Sequence, residues 1–125
     1  MKNMIIGAVL GVFAAGAAMA DPAAGMWKSQ PGETGGYIHV KISPCGAQIC
    51  GKIVKVVGND NDSIIGKKII WAMNNDGGGN YSGGKVWAPD TDKTYSSKLK
   101  LSGSKLKVSG CVLGICRSQN WSRIN

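Results

Sequence analysis

Lys98-Leu99-Lys100-Leu101-Ser102-Gly103-Ser104-Lys105-Leu106-Lys107-Val108 is two runs of strict alternation around a Ser-Gly turn. Alternation with period two marks a strand with one buried face, and a Gly at a polar tip between two such runs marks a hairpin. Folded there, the stretch puts Leu99, Leu101, Leu106 and Val108 on one face and Lys98, Lys100, Lys105 and Lys107 on the other. Like charges across a strand pair repel, so the lysine face is either solvated or turned to an anionic partner. The same pattern recurs upstream. Ile38, Val40 and Ile42 share one side of residues 37–42 and Tyr37, His39 and Lys41 the other, so His39 reads as a solvated surface residue.

Outward from this hairpin, alternation and turn signals recur about every dozen residues, with no sustained helical period. Strands are expected over residues 25–29, 37–43, 50–57, 68–74, 81–88, 94–101, 105–110 and 115–124. Eight short antiparallel strands in sequence point to an all-β, up-and-down barrel, because closure removes the sheet edges. A two-sheet sandwich is compatible with the same strands. An eight-stranded interior is either filled by side chains or holds one small ligand.

The chain of 125 residues supports one small domain. Its first 20 residues read as an export signal: Lys2, an apolar run from Met4 to Ala18, and Ala18-Met19-Ala20 as the cleavage site. The expected organisation is a signal peptide over 1–20 and one barrel over 21–125, periplasmic or secreted, with no transmembrane segment in the mature chain. No Cys follows the cut, which argues against a lipid anchor. All four cysteines fall after it, as Cys45/Cys50 and Cys111/Cys116, both Cys-x4-Cys. Four cysteines allow three connectivities. The spacing favours two local staples, each joining residues that flank a four-residue hairpin loop and face each other. A four-thiolate zinc site would need reduced thiols, which an oxidising compartment disfavours.

Gly25-Met26-Trp27, the Cys45–Gly51 segment, Gly83-Gly84, Pro89-Asp90 with Lys93 and Tyr95, Gly110-Cys111, and Arg117, Gln119, Trp121 and Arg123 form an ordered series. It resembles the domain of unknown function 2147 family of exported bacterial proteins. Two departures are Tyr81, where a Trp is expected before the Gly-Gly pair, and Trp87, where a smaller aromatic is usual; both bear on the interior lining. The resemblance implies a calycin-like, lipocalin-type barrel in which Trp27 begins the first strand and Arg123, late in the last strand, packs over it. First and last strands of such a barrel are antiparallel neighbours, so this pairing is geometrically coherent.

The last strand carries the most suggestive face, with Arg117, Gln119, Trp121 and Arg123 alternating on one side. If Trp121 points inward, Arg117 and Gln119 do too, and buried polar groups need partners. Two readings stand: a satisfied structural network, or a pocket in which Arg117 meets an anionic head group while Trp71, Trp87 and Trp121 form an apolar wall. Catalysis finds little support, since no Gly-x-Ser-x-Gly elbow is present and the lone His lacks a paired acid by spacing. Asp60 and Asp62 lack the Gly and Glu positions of a calcium loop and read as turn formers. No cofactor or metal is expected. With a formal net charge of +8, an anionic envelope component is a further partner, in preference to nucleic acid. The reading is an exported, non-catalytic barrel binding a small amphiphilic or hydrophobic molecule. Its alternative is a filled barrel that acts through its basic outer surface.

Overall fold

The computed structural model describes residues 21–125, so the expected signal peptide lies outside the described residues. Eight strands run in chain order: β1 (Gly25–Lys28), β2 (Tyr37–Cys45), β3 (Gln48–Val57), β4 (Lys68–Gly77), β5 (Asn80–Ala88), β6 (Lys93–Ser102), β7 (Lys105–Val112) and β8 (Ile115–Arg123). Each pairs antiparallel with its successor, and β8 returns to β1 to close the barrel. The sandwich alternative is thereby excluded.

The Ser102-Gly103 hairpin forms in the expected register. Leu99 faces Val108 and Leu101 faces Leu106, while Lys100 lies directly opposite Lys107. Leu99, Leu106 and Val108 are buried and the four lysines are exposed. Val40 and Ile42 point into the same core.

Three hairpin turns are tighter than the sequence suggested. Strands run through the cysteines, leaving two-residue turns at Gly46-Ala47 and Leu113-Gly114, and β4 continues to Gly77. Positive φ at Gly46, Gly78, Gly79, Leu113 and Gly114 permits these short turns. Both local disulfides form, with Cα–Cα separations of 5.8 Å for Cys45–Cys50 and 4.1 Å for Cys111–Cys116. Cys111 and Cys116 face each other as expected. Cys45 instead faces Gln48, and Cys50 faces Ser43, so that staple runs diagonally across its hairpin.

The barrel has two unlike ends. At the base lie the short turns after β2, β4 and β6 and both ends of the described chain; at the mouth lie the loops 29–36, 58–67 and 89–92 and the β7–β8 turn. The base is plugged by residues 21–24. Ala23 is fully buried and its carbonyl accepts from Trp27 Nε1 at 2.9 Å. The Arg123 guanidinium sits 4.4 Å over the Trp27 ring and donates to the carbonyls of Ala24 and Pro22. Above this plug, Trp27, Tyr81, Met73, Ile53, Leu106 and Trp121 are buried nearly completely. The lower barrel is therefore occupied by side chains.

Two glycines make this filling fit: a Cβ on Gly51 would stand 2.8 Å from Ile70 Cγ1 and 2.9 Å from Val40 Cγ1. A Cβ on Gly84 would stand 2.4 Å from the Trp71 carbonyl oxygen and 2.7 Å from Met73 Sδ, so β4 and β5 approach closely only because residue 84 has no side chain.

Candidate functional site

Loops at the mouth leave a recess of about 520 Å³ above the packed core. Ile38 and Val56 supply wall from the ends of β2 and β3, and Ile64 and Ile69 supply more from the β3–β4 connection and β4. Trp121 forms the floor at 1% exposure. Its indole Nε1 donates to Gln119 Oε1 at 3.1 Å, which leaves the Gln119 amide nitrogen a free donor at the edge of the floor.

The polar rim is Ser29, Gln30, Asn59, Asn61, Gln119, Glu33 and Asp90. Among the described residues the lining itself carries two charges, both carboxylates, and Lys28 Nζ lies 4.3 Å over the ring of Tyr37, another lining residue. Hydrogen bonds fix the rim. Ser29 Oγ accepts from the Ile38 amide at 3.0 Å, Gln30 Oε1 accepts from the Asn120 amide at 3.0 Å, and Asn59 Oδ1 accepts from the Asn61 amide at 2.7 Å. The Asn–Asp stretch thus builds a turn that leads into a short 3-10 helix (Asp62–Ile64), and that helix delivers Ile64 to the wall.

The residues singled out in the sequence do not all meet here. Gln119 and Trp121 do. Arg117 is exposed opposite Gly110 near the tip of β8, outside the recess lining. The inward face of β8 ends at Gln119 because the barrel wall beyond it rises clear of the core into solvent. Trp71 pairs with Lys85 on the outer wall; β4 breaks strict alternation here, since Ile69 and Ile70 are both buried and Ala72, at φ 58°, lies between the inward Ile70 and Met73. Trp87 is half-buried against the core's edge, where its Nε1 donates to Asp92 Oδ1 at 2.9 Å and Lys67 Nζ lies 5.5 Å from its ring. It braces the β5–β6 turn and does not line the recess. The expected wall of three tryptophans with Arg117 is replaced by aliphatic residues and one Trp.

Two ionisable groups are perturbed. Tyr81, inward on β5, donates its hydroxyl to Asp21 Oδ1. Burial, followed by the Asp21 hydrogen bond and charge, pushes its phenol far above the usual range. His39 stacks beside Tyr37 at 5.8 Å. Partial burial and then the charges of Lys55 and Lys28 lower its pKa. Every buried side-chain nitrogen and oxygen among the described residues has a hydrogen-bond partner. A second depression of about 330 Å³ lies on the outer wall between Asp76, Ser82, Lys98, Lys100 and Lys107.

Strand β1 opens with Gly25-Met26-Trp27 and β8 closes on Arg123 over that Trp. The family model for domain of unknown function 2147, described as an uncharacterized protein conserved in bacteria, matches residues 25–123. The chain belongs to this family. The domain of unknown function 2147 match therefore begins and ends on the strands that carry the base-sealing pair, and it covers the whole barrel. Among solved structures, protein HP1028 from the human pathogen Helicobacter pylori, described as belonging to the lipocalin family, is similar with a TM-score of 0.68. Identity is 16%, with 82% of each chain covered. At that distance the likeness is one of fold: a lipocalin-like barrel. No curated protein matches the chain.

Wall residues Ile38, Val56, Ile64 and Ile69 escaped sequence reasoning. Ile38 and Val56 look like ordinary core positions near strand ends. The Ile64-Ile65 pair in an otherwise polar loop between Gly58 and Gly66 was the available signal.

Proposed function

We propose that this protein is exported and binds a small amphiphilic or hydrophobic molecule in the barrel mouth, without catalysis. The recess carries the reading: a concavity with an aliphatic wall, a tryptophan floor and a few fixed polar groups is how small-molecule sites are built. Its volume of about 520 Å³ suits a small apolar body with its polar end at the rim.

The rim also sets the head group. Glu33 and Asp90 offer acceptors, the Gln119 amide offers a donor, and the described lining holds two negative charges and no positive one, with Lys28 set back over the Tyr37 ring. A neutral or cationic head is favoured there over an anionic one, the opposite of what Arg117 suggested. Desolvating an anion beside two carboxylates, with the Lys28 ammonium engaged on the Tyr37 ring outside the lining, is costly.

Octyl glucoside, octyltrimethylammonium and octyl sulfate, titrated below their micelle concentrations with Trp emission as readout, test this. The neutral and cationic compounds are expected to bind, and Ile38→Lys, which sets a charge in the wall, is expected to weaken both about tenfold or more. Binding of octyl sulfate alone, unaffected by Ile38→Lys, would contradict the reading.

A further inference from the structure

Among the described residues six large hydrophobic side chains are exposed, and four of them are at the mouth end: Ile65, Val112, Leu113 and Ile115. Three of the four sit together on the β7–β8 hairpin tip, where Leu113 is 97% and Ile115 72% exposed. Behind them the Cys111–Cys116 disulfide holds the two strands.

Leu113 is the informative residue. Leu113 and Gly114 form the two-residue turn with φ of 52° and 81°. Two positive values in succession call for Asn, Asp or Gly, and a leucine there is strained. Nothing in the fold compensates, because the side chain touches almost nothing of its own protein. A strained, fully exposed aliphatic residue on a stapled projection has its use in contact with something outside the molecule.

We infer that the Val112–Ile115 tip inserts into the surface of a lipid bilayer. A convex finger of aliphatic side chains needs a soft apolar phase to enter, and a bilayer is one without any preformed pocket. The charge of the tip agrees. Arg117 is exposed two residues beyond Ile115 on the same strand, at the depth where phosphate groups would lie, and the whole chain carries +8. Glu33, Asp90 and Asp92 on the flanking loops keep the rest of the rim from lying flat on an anionic surface, so contact is confined to the tip. The inference does not depend on the recess holding a ligand.

The test is flotation of the full mature chain with vesicles of phosphatidylethanolamine and phosphatidylglycerol, and separately of phosphatidylcholine. Leu113→Asn is the variant of choice, because Asn accepts positive φ and thermal melting then reports an intact or stabilised fold. Binding to the anionic vesicles is expected, with Leu113→Asn lowering the partition coefficient about tenfold and 0.5 M salt weakening it without abolishing it. Three results would overturn the inference. These are no vesicle binding by the parent chain, equal binding by Leu113→Asn, or a parent dimer that Leu113→Asn dissolves, which would assign the tip to a second copy.

Discussion

The Arg123 guanidinium lies 4.4 Å over the Trp27 ring while donating to the carbonyl oxygens of Ala24 and Pro22. One side chain thus ties the last strand to the first and to the plug beneath them. Trp27 is fully buried, so Trp27→Ala is expected to cost about 3–5 kcal/mol. Arg123→Lys keeps the charge but loses the planar fork and stacking, at about 1–2 kcal/mol. Urea denaturation measures both; an unchanged midpoint for Trp27→Ala would remove the structural role of this pair.

Close approach at Gly84 is equally testable. Gly84→Ala forces a methyl group against the Trp71 carbonyl and Met73 Sδ, and about 1–3 kcal/mol of destabilisation is expected. Gly32→Ala meets only the Gly36 carbonyl oxygen at 3.7 Å and serves as control, within about 0.5 kcal/mol of the parent.

Tyr81 makes stability fall at alkaline pH. Its phenol, ordinarily near 10.0, is raised by burial and by Asp21. Above pH 10 the unfolded chain releases a proton that the folded barrel keeps. The associated stability is therefore complete below pH 10 and is lost as pH rises beyond it. Absorbance titration at 295 nm is expected to show about one fewer tyrosinate in the folded than in the urea-unfolded protein at pH 11. In Tyr81→Phe that difference should disappear.

His39 titrates in the other direction. Partial burial, then Lys55 and Lys28, lower its pKa from 6.5, so its linked stability is present above that pH and is lost as pH falls. An NMR titration is expected to place its midpoint below 6.5 and to move it upward in Lys55→Ala. A midpoint that Lys55→Ala leaves in place would contradict the charge effect.

Fold legibility came from local alternation. The Leu/Lys hairpin and the Ile38–Val40–Ile42 face report burial residue by residue, and Gly25-x-Trp27 with Arg123 reports barrel closure through the family resemblance. Turn length is not legible in the same way: in both Cys-x4-Cys segments the ladder continues past the cysteines, and the left-handed residues that close it include a Leu at 113, a rare choice there. Site legibility was poorer. Alternation says which face of β8 Arg117 shares, but not how far the wall extends past the packed interior. That length depends on where the loops 29–36, 58–67 and 89–92 fold over, and loop geometry has no period to read. Trp71 faces the outer wall while Ile69, Ile70 and Met73 are all buried, an irregularity around Ala72 that alternation does not report. Apolar side chains of the mouth, by contrast, are indistinguishable in sequence from core.

Native mass spectrometry of the protein isolated from its own source, with organic extraction of the sample, tests the central claim most directly. A single reproducible adduct of small apolar mass, extractable into solvent and lost in Ile38→Lys while Arg117→Ala retains it, is the predicted result. A clean unliganded mass, or an adduct that depends on Arg117 and ignores Ile38, would contradict a ligand-binding mouth.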